Sequence, residues 1–582
     1  MPSTERTALA RLEELGDVLA IERERTGAPP DPGQDPSQVA IPPPRSAGLL
    51  RSNVVVATGT TLSRLTGLLR VIVFAYVIGK GALADAYLIG NETPNIVYEL
   101  LLGGVLSATL VPLFTSFLHH RDDGSMEEDE AGAHATNVVI TVTMVAVTVL
   151  TIIAFLAAPL IFGLYTIHTE GTTDPEVLRE VGTLLTRVFL LQIFFYGATG
   201  LLSAYLNARR RFFAAAWSPI AANVVIIVSL LTLRGTAWEL TDVLSDHRLR
   251  WTLALGATVG IATMAVLLAV AVRHSGLRFR PAFEPRHPAI RRLITLSAWT
   301  LGYVACNQIV TIVIRNLSGP GSGDSAAYFQ AFTFFVLPHG LLAVSIATTF
   351  EPEMAIAVRR RDKAAFIDRT SLGVRLIALL TLPAAMLLFV LRRPMIGLLL
   401  EHGEFTSVDA LITSRALGGF ALGLVGFSAY LFTFRGFYAH QDTRTPFMIN
   451  VGQCILNIIL AFAFVGRWGV LGLAAAYAVS YLVAAVWALQ VMSYKVPGFP
   501  FTGVLVAMTR MVLAAVLAAE ATWWVARRVG GNTGLDALVR LVCGTFVGLA
   551  VYAGVLVLLK APEITAVKRI VPGRGRRPNL AH

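Results

Sequence analysis

The sequence predicts an all-α polytopic membrane protein: fourteen transmembrane helices, built as two parallel six-helix repeats plus two appended helices. Three observations lead there. Of 582 residues, 55% are hydrophobic and only 15% charged, whereas a soluble domain carries roughly 25% charged residues. The apolar residues fall in runs of about 20, the length a helix needs to cross a hydrocarbon slab of roughly 30 Å. Two residue patterns recur six runs apart, which sets the repeat. The net charge of +11 sits in loops between apolar runs, a pattern of membrane orientation and not of a nucleic-acid face. Cys306, Cys454 and Cys543 stand singly inside apolar runs, so neither a disulfide framework nor a CxxC metal site is expected. No GxxxxGK[ST], HExxH or GxSxG sequence occurs, so neither an ATPase nor a hydrolase is predicted, and no metal or organic cofactor is expected.

Residues 1–50 read as a cytoplasmic extension with no secretory signal. Leu9, Leu12, Leu15 and Leu19 fall at helical spacing, but Pro29, Pro30, Pro32, Pro36 and Pro42-Pro43-Pro44 argue for an extended, disordered linker. Candidate spans follow at about 52–79, 84–118, 135–165, 178–206, 213–233, 250–272, 290–316, 325–350, 371–391, 410–438, 446–466, 469–494, 502–527 and 535–559. The stretch after Lys560 is a basic tail suited to anionic headgroups. An even span number puts both ends on one side. The even-numbered loops hold Arg121, Arg209, Arg210, Arg211, Arg273, Arg278, Arg280, Arg286, Arg291, Arg292, Arg359, Arg360, Arg361, Lys363, Arg369, Arg444 and Lys495. The odd-numbered ones hold Lys80, Arg234, Arg248, Arg250, Arg392, Arg393, Arg467, Arg527 and Arg528. This imbalance, 17 against 9, predicts both termini in the cytoplasm.

The repeat is read from two echoes. Asp85-Ala86-Tyr87, Pro94 and Ser107 through Pro112 in span two match Ala326-Ala327-Tyr328, Pro338 and Ala347 through Pro352 in span eight. Tyr205, Arg209 to Arg211 and Asn223 at the entry to span five echo Tyr438, Arg444 and Asn457 at span eleven. A six-span offset preserves orientation, so the halves are parallel repeats and a substrate site is expected between them. The predicted organisation is residues 51–273, a first six-helix lobe; 274–495, a second; 496–560, two added helices; and 561–582, the tail.

Ionisable groups inside spans cost about 2.5–3.5 kcal/mol each and therefore mark cavities or partners. Span one has Arg64 and Arg70 about Gly67, roughly 120° and about 9 Å apart on a helix. Two readings stand level: guanidinium forks for an anionic headgroup, or packing ion pairs with Glu92 or Glu99 of span two. Asp85, close to Lys80 and within reach of Arg70, is a candidate outer gate, with a plain interfacial residue as the equal alternative. Pro94, Gly103, Gly104 and Pro112 mark a broken or bent span two. Arg187, Arg315, Arg375, Arg415, Arg435, Arg510 and Arg540 are expected to snorkel to headgroups. Asn307, Gln308, Asn450, Gln453 and Asn457 are candidate cation ligands, with interhelical hydrogen bonds preferred. His119-His120 beside the acidic run Asp122–Glu130 reads as a solvated loop, and Trp523-Trp524 as interfacial belt.

Ser63-Arg64-x-x-Gly67-x-x-Arg70, then Asp85-Ala86, Pro94-Asn95, Gly104 and Val111-Pro112, resemble the MviN/MurJ family of lipid II flippases, in the multidrug/oligosaccharidyl-lipid/polysaccharide exporter superfamily. A second block, Gly436-Phe437-Tyr438 through Gln441-Asp442, Arg444 and Thr445-Pro446, is similar to the family's cytoplasmic motif after span ten, and Leu206-Asn207 through Phe212, Pro219 and Asn223 is a third. The resemblance covers about residues 50–560. It implies a V-shaped pair of six-helix lobes around a cationic cavity, with spans thirteen and fourteen forming a groove for the polyprenyl tail. It further implies that Arg64, Arg70 and Asn95 bind substrate, that Asp85 and Lys80 gate the outer end, and that Gln441, Asp442, Arg444 and Pro446 form the cytoplasmic motif. Coupling to membrane potential or a monovalent cation is implied in place of nucleotide. Where other members have cationic span-two side chains this chain has Glu92, Tyr98 and Glu99; their span-two glutamate falls at Gly103 and their span-eight arginine near Thr333. These departures resemble the actinobacterial branch and make the cavity less positive.

The leading expectation is therefore a flippase of the bacterial plasma membrane, moving undecaprenyl-diphosphate-linked lipid II between leaflets by alternating access. Its partners would be that lipid-linked peptidoglycan precursor, anionic membrane lipids and cell-wall synthesis or division proteins, without nucleic acid. The alternatives are an exporter of another polyprenyl-linked glycan or of drugs, disfavoured for cations by the paired arginines, and a non-transporting scaffold for cell-wall synthesis built on the N-terminal extension.

Overall fold

The computed structural model describes residues 46–95, 106–120, 126–128, 130–171, 173–275 and 279–563. The chain separates into two compact units, Met1–Val54 and Val55–His582. In the first, the described residues 46–54 are helical. The second contains the spans from Val55 onward. Tyr98, Glu99, Gly103, Gly104, the leucines at 9–19 and the basic tail lie outside the described residues.

Helices fall over all fourteen predicted stretches. Among the described residues, eleven are long and apolar enough to cross a membrane, twelve with the bent pair Ser407–Ala421 and Leu424–Ala439 taken as one span. The two stretches not so counted are described only in part: span two as Ala82–Gly90 and Leu106–Thr115, and span seven, Pro288–Leu317, without the side chains of residues 294–301. The sequence stretch read as a loop after span two instead pairs Leu118–His120 with Met126–Glu128 as a short antiparallel ribbon. Among the described residues no cluster of three metal-ligating side chains occurs.

Several spans are broken where the sequence disfavours a regular ladder. Span three stops at Leu156 and restarts as Ala158–Tyr165 with Pro159 in the first turn, a position where the missing N–H costs nothing. Span ten bends by 47° at Leu422–Gly423; a Cβ on Gly423 would lie 2.5 Å from the Ala478 backbone of span twelve, so only glycine permits this approach. Span eight is the most altered. Pro338 ends Asp324–Pro338, a five-residue π-helix His339–Ala343 follows, and Val344–Arg359 resumes the α-helix. Proline removes a ladder hydrogen bond and its ring crowds the preceding turn, and π segments of this kind mark functional positions.

The echoed turns after spans four and ten share a helix-end geometry that also occurs at Arg361 and Lys560. Arg210 and Gln441 both adopt a left-handed conformation, φ 58° and 59°. The next amide reaches back five residues in each, Arg211 N–H to Leu206 O at 2.9 Å and Asp442 N–H to Phe437 O at 3.1 Å, as in a Schellman helix end. Each half has its own apolar core. Leu178, Val181, Leu185, Phe189, Leu249 and Leu253 pack together among spans one to six, and Phe366, Val374, Ile377, Tyr430, Phe432 and Met492 among spans nine to twelve. Span thirteen joins the second core through Val504, Met511 and Ala514, and span fourteen through Tyr552 and Leu556.

Candidate functional site

The site is a seam between spans one and two and span eight, closed at the end where the loop before span eight meets span two. Gly319, Gly321 and Gly323 take φ values of 66°, 98° and 83°, left-handed geometry that L side chains resist. The loop they form turns its amides onto one carboxylate. Asp85 is fully buried; its Oδ2 accepts from Gly321 N–H (2.9 Å) and Gly323 N–H (2.8 Å), and its Oδ1 from Ala326 N–H (2.7 Å). Span two thus supplies the cap that span eight lacks in its own sequence, satisfying orphan donors at the positive end of that helix. The two echoed segments, Asp85-Ala-Tyr and Ala326-Ala-Tyr, meet here.

Two ion pairs flank the cap. Lys80 reaches Asp324 at 2.8 Å, with only 6% of its side chain exposed. Glu92 pairs with Arg315 at 2.6 Å, and Arg315 also donates to the Ser325 carbonyl and hydroxyl. Farther round, Glu170 N–H donates to Pro320 O, Thr173 to Gly321 O, and Gln308 to the Tyr165 hydroxyl. Asp85 and Lys80 thus both tie spans one and two to the start of span eight, and Asp85 is held by backbone amides and not by Arg70. Glu92 serves Arg315, which corrects two expectations: it is not the partner of Arg64 or Arg70, and Arg315 is buried instead of snorkelling. Removing one partner of a buried pair strands the other charge at about 3–5 kcal/mol, while replacing both with apolar groups costs less. Arg315→Met should accordingly lower the thermal unfolding temperature of the purified protein more than Arg315→Met with Glu92→Met.

Below the closure, Arg64 lies against span eight and Arg70 shares a cavity with it. Arg70 lines a cavity of about 40 Å³ with Tyr87, Asn91, Asn95, Phe329 and Gln330, room for two or three waters. Asn95 is held there by Tyr196 OH (2.9 Å) and by its own bond to Asn91 O (2.9 Å). Gln330 is buried with neither amide atom paired, and Asn91 Oδ1 is likewise unpaired. A buried amide without partners costs free energy, so the cavity is built to receive polar groups. Neither Asn91 nor Gln330 stood out in the sequence, although each interrupts an apolar stretch. Arg64 is half-buried and lies against Gly340 of the π-helix, where an added Cβ would fall 1.8 Å from its guanidinium. Beside it His339 bonds to Ser428 at 2.9 Å. Because the colliding atom is the end of a flexible side chain, Gly340→Ala should preserve folding but displace Arg64. The expected result is an unchanged unfolding temperature together with the growth defect of Arg64→Ala in a depletion strain.

A family model for the lipid II flippase MurJ matches residues 74–544. The chain belongs to the MurJ lipid II flippase family. It is 26% identical over 534 residues to the probable lipid II flippase MurJ of Rhizobium meliloti, covering 90% of this chain and 96% of that one. It is 27% identical to the Vibrio cholerae counterpart over 439 residues, 75% and 81% of the two chains. Its fold is similar to that of a lipid II flippase MurJ solved in an inward closed conformation, with a TM-score of 0.70 at 22% identity over 89% of this chain and all of that one. A multidrug-resistance transporter of the MATE family, solved inward-facing, shares the fold at a TM-score of 0.58 and 14% identity, over 77% of this chain and 98% of that one.

The remaining MurJ-motif residues have structural partners. Asp442 accepts from Thr445 N–H (3.0 Å), Thr445 Oγ1 (2.7 Å) and Lys495 Nζ (2.7 Å), tying the turn after span ten to the end of span twelve. Burial raises the Asp442 pKa, but the Lys495 and Thr445 hydrogen bonds outweigh it and hold the carboxyl below its ordinary range. Gln441 takes the left-handed turn position, Arg444 starts span eleven, and Pro446 is buried in its first turn. Asn307 donates to Tyr303 O of its own helix (2.8 Å); its bond to Asn450 (3.4 Å) and that of Gln453 to Ser480 (3.1 Å) are interhelical. Asn457 is buried with its Oδ1 unpaired. Arg435 pairs with Glu351 at 2.8 Å and Arg540 bonds to Val529 O and Asn532, so these two do not simply snorkel.

Proposed function

We propose that this chain moves lipid II from the inner to the outer leaflet of the bacterial plasma membrane by alternating access. The observation that carries the reading is that both span-one arginines face the seam between the two sequence repeats, Arg64 against Gly340 of span eight and Arg70 in a cavity shared with Phe329 and Gln330, beneath a closed end. Guanidinium forks match diphosphate oxygens bidentately, and among the described residues neither Arg64 nor Arg70 is committed to a carboxylate. The cavity beside Arg70 holds only waters, so headgroup entry requires the halves to separate on the opposite side. Binding then favours whichever state contacts the diphosphate best, which is how a ligand drives closure behind itself.

In this reading residues 51–273 and 274–495 are the rocking lobes and 496–560 accommodates the lipid tail. The loop tally of 17 against 9 basic residues places both termini in the cytoplasm. Membrane potential or a monovalent cation supplies the drive. The deciding experiment depletes a bacterium of its own flippase, rescues it with this chain, and measures lipid II accessible to an outer-leaflet probe. Restored accessibility supports translocation; rescue of growth without it would indicate a scaffold. Deleting residues 1–48 should leave translocation intact.

A further inference from the structure

Four of the nine basic residues in odd-numbered loops, Arg392, Arg393, Arg527 and Arg528, run against the charge bias of this chain. All four lie at the ends of spans nine and thirteen, at the same end of the bundle as Asp85, where the loop residue Glu404 bonds to Tyr76 O of span one. Between these span ends is a cavity of about 340 Å³, lined by Phe389, Arg392, Leu411, Arg415 and Trp523 together with Arg393. That volume is at the lower end of the range for small-ligand sites.

Its charges are not neutralised equally. Arg393 is paired with Glu401 at 2.6 Å. Among the described residues neither Arg392 nor Arg415 has a carboxylate partner. The Arg392 stem is pressed on Gly418, whose Cβ would lie 2.8 Å from its Cδ, and its guanidinium lies 4.9 Å from the Phe389 ring centre while donating to Phe389 O. Arg392 is thereby fixed, not freely snorkelling. Arg527 sits 4.4 Å over Trp523 and adds positive field at the rim. The walls are apolar and open to the bilayer side: Phe389, Leu411 and Trp523 are each exposed by 38–47%.

We propose that this cavity binds the phosphate of an anionic membrane phospholipid, with Arg392 and Arg415 as the phosphate donors and Phe389, Leu411 and Trp523 flanking the acyl chains. Two guanidinium groups without a carboxylate, that of Arg392 held in place, suit a phosphodiester, and an indole at a wet–apolar boundary suits a lipid interface. A soluble anion would gain nothing from the apolar walls. The site is separate from the Arg64–Arg70 seam and does not depend on the substrate assigned to that seam.

The test uses the delipidated full-length protein in detergent and follows its thermal unfolding during titration with phosphatidylglycerol, phosphatidylcholine or inorganic phosphate. Phosphatidylglycerol should stabilise at lower concentration than phosphatidylcholine, and millimolar inorganic phosphate should neither reproduce nor block the effect. Arg392→Gln with Arg415→Gln should weaken the phosphatidylglycerol response by about tenfold or more. Arg467→Gln, at the same end but outside the cavity, should leave it unchanged. Arg415→Gln alone, at an exposed position, supplies the test if the double variant does not fold, with an expected loss of several-fold. An unaltered response in these variants, or full stabilisation by inorganic phosphate, overturns the proposal.

Discussion

Arg70→Ala should abolish growth in a strain depleted of its own flippase while the protein still inserts at normal levels. The side chain lines a cavity in which Asn91 and Gln330 retain unpaired buried atoms, and its loss removes the only charge there among the described residues. A charge-assisted hydrogen bond contributes about 1.5–3 kcal/mol, which is roughly tenfold to a hundredfold in affinity for a diphosphate. Arg70→Lys separates charge from geometry: it keeps the positive group but loses the bidentate fork, and partial growth is expected. Quantitative immunoblotting of membranes beside the growth assay decides the matter. Full growth of the Ala variant at wild-type expression would remove Arg70 from transport.

The parts of this molecule legible in its sequence are those set by neighbours in the chain. Span positions follow from apolar runs, and the repeat follows from segments such as Asp85-Ala-Tyr and Ala326-Ala-Tyr. Breaks are legible where proline disfavours a straight helix, as at Pro338, whereas the bend at Gly423 carries no such mark. What escaped is the pairing of distant groups. The place of Asp85 near the end of a span is legible, but its partners are amides of Gly321, Gly323 and Ala326, more than 230 residues away. Backbone donors leave no mark in residue type; only the glycine spacing hinted at an unusual loop. Arg315 looked like a headgroup residue because it lies near a span end, whereas the loop after span seven folds over it and Glu92 compensates its burial. Gln330 is invisible for the opposite reason: one amide in an apolar span reads as an ordinary helix contact until a cavity opens beside it.

Asp85→Ala should have the second large effect, on the equilibrium between closed and open outer ends. The carboxylate is the common acceptor for three buried amides, and each left without a partner costs about 1–3 kcal/mol. The open form wets these amides and escapes that cost, so the substitution favours opening by the difference. Moving a two-state equilibrium from 1:99 to 99:1 takes about 5.5 kcal/mol, within reach of three lost bonds. Asp85→Asn is an instructive companion: its carbonyl oxygen can still accept, but its NH₂ would face donors at one of the two oxygen positions, so partial opening is expected. Hydrogen exchange reads the consequence at the atoms involved. In the parent protein a peptide covering 319–328 should be strongly protected; in Asp85→Ala its exchange should rise by more than tenfold, while the core peptide around Phe432 stays slow. If 319–328 remains protected without the carboxylate, the outer end is held by Lys80–Asp324 and Glu92–Arg315 instead, and Asp85 is a helix cap with no part in gating.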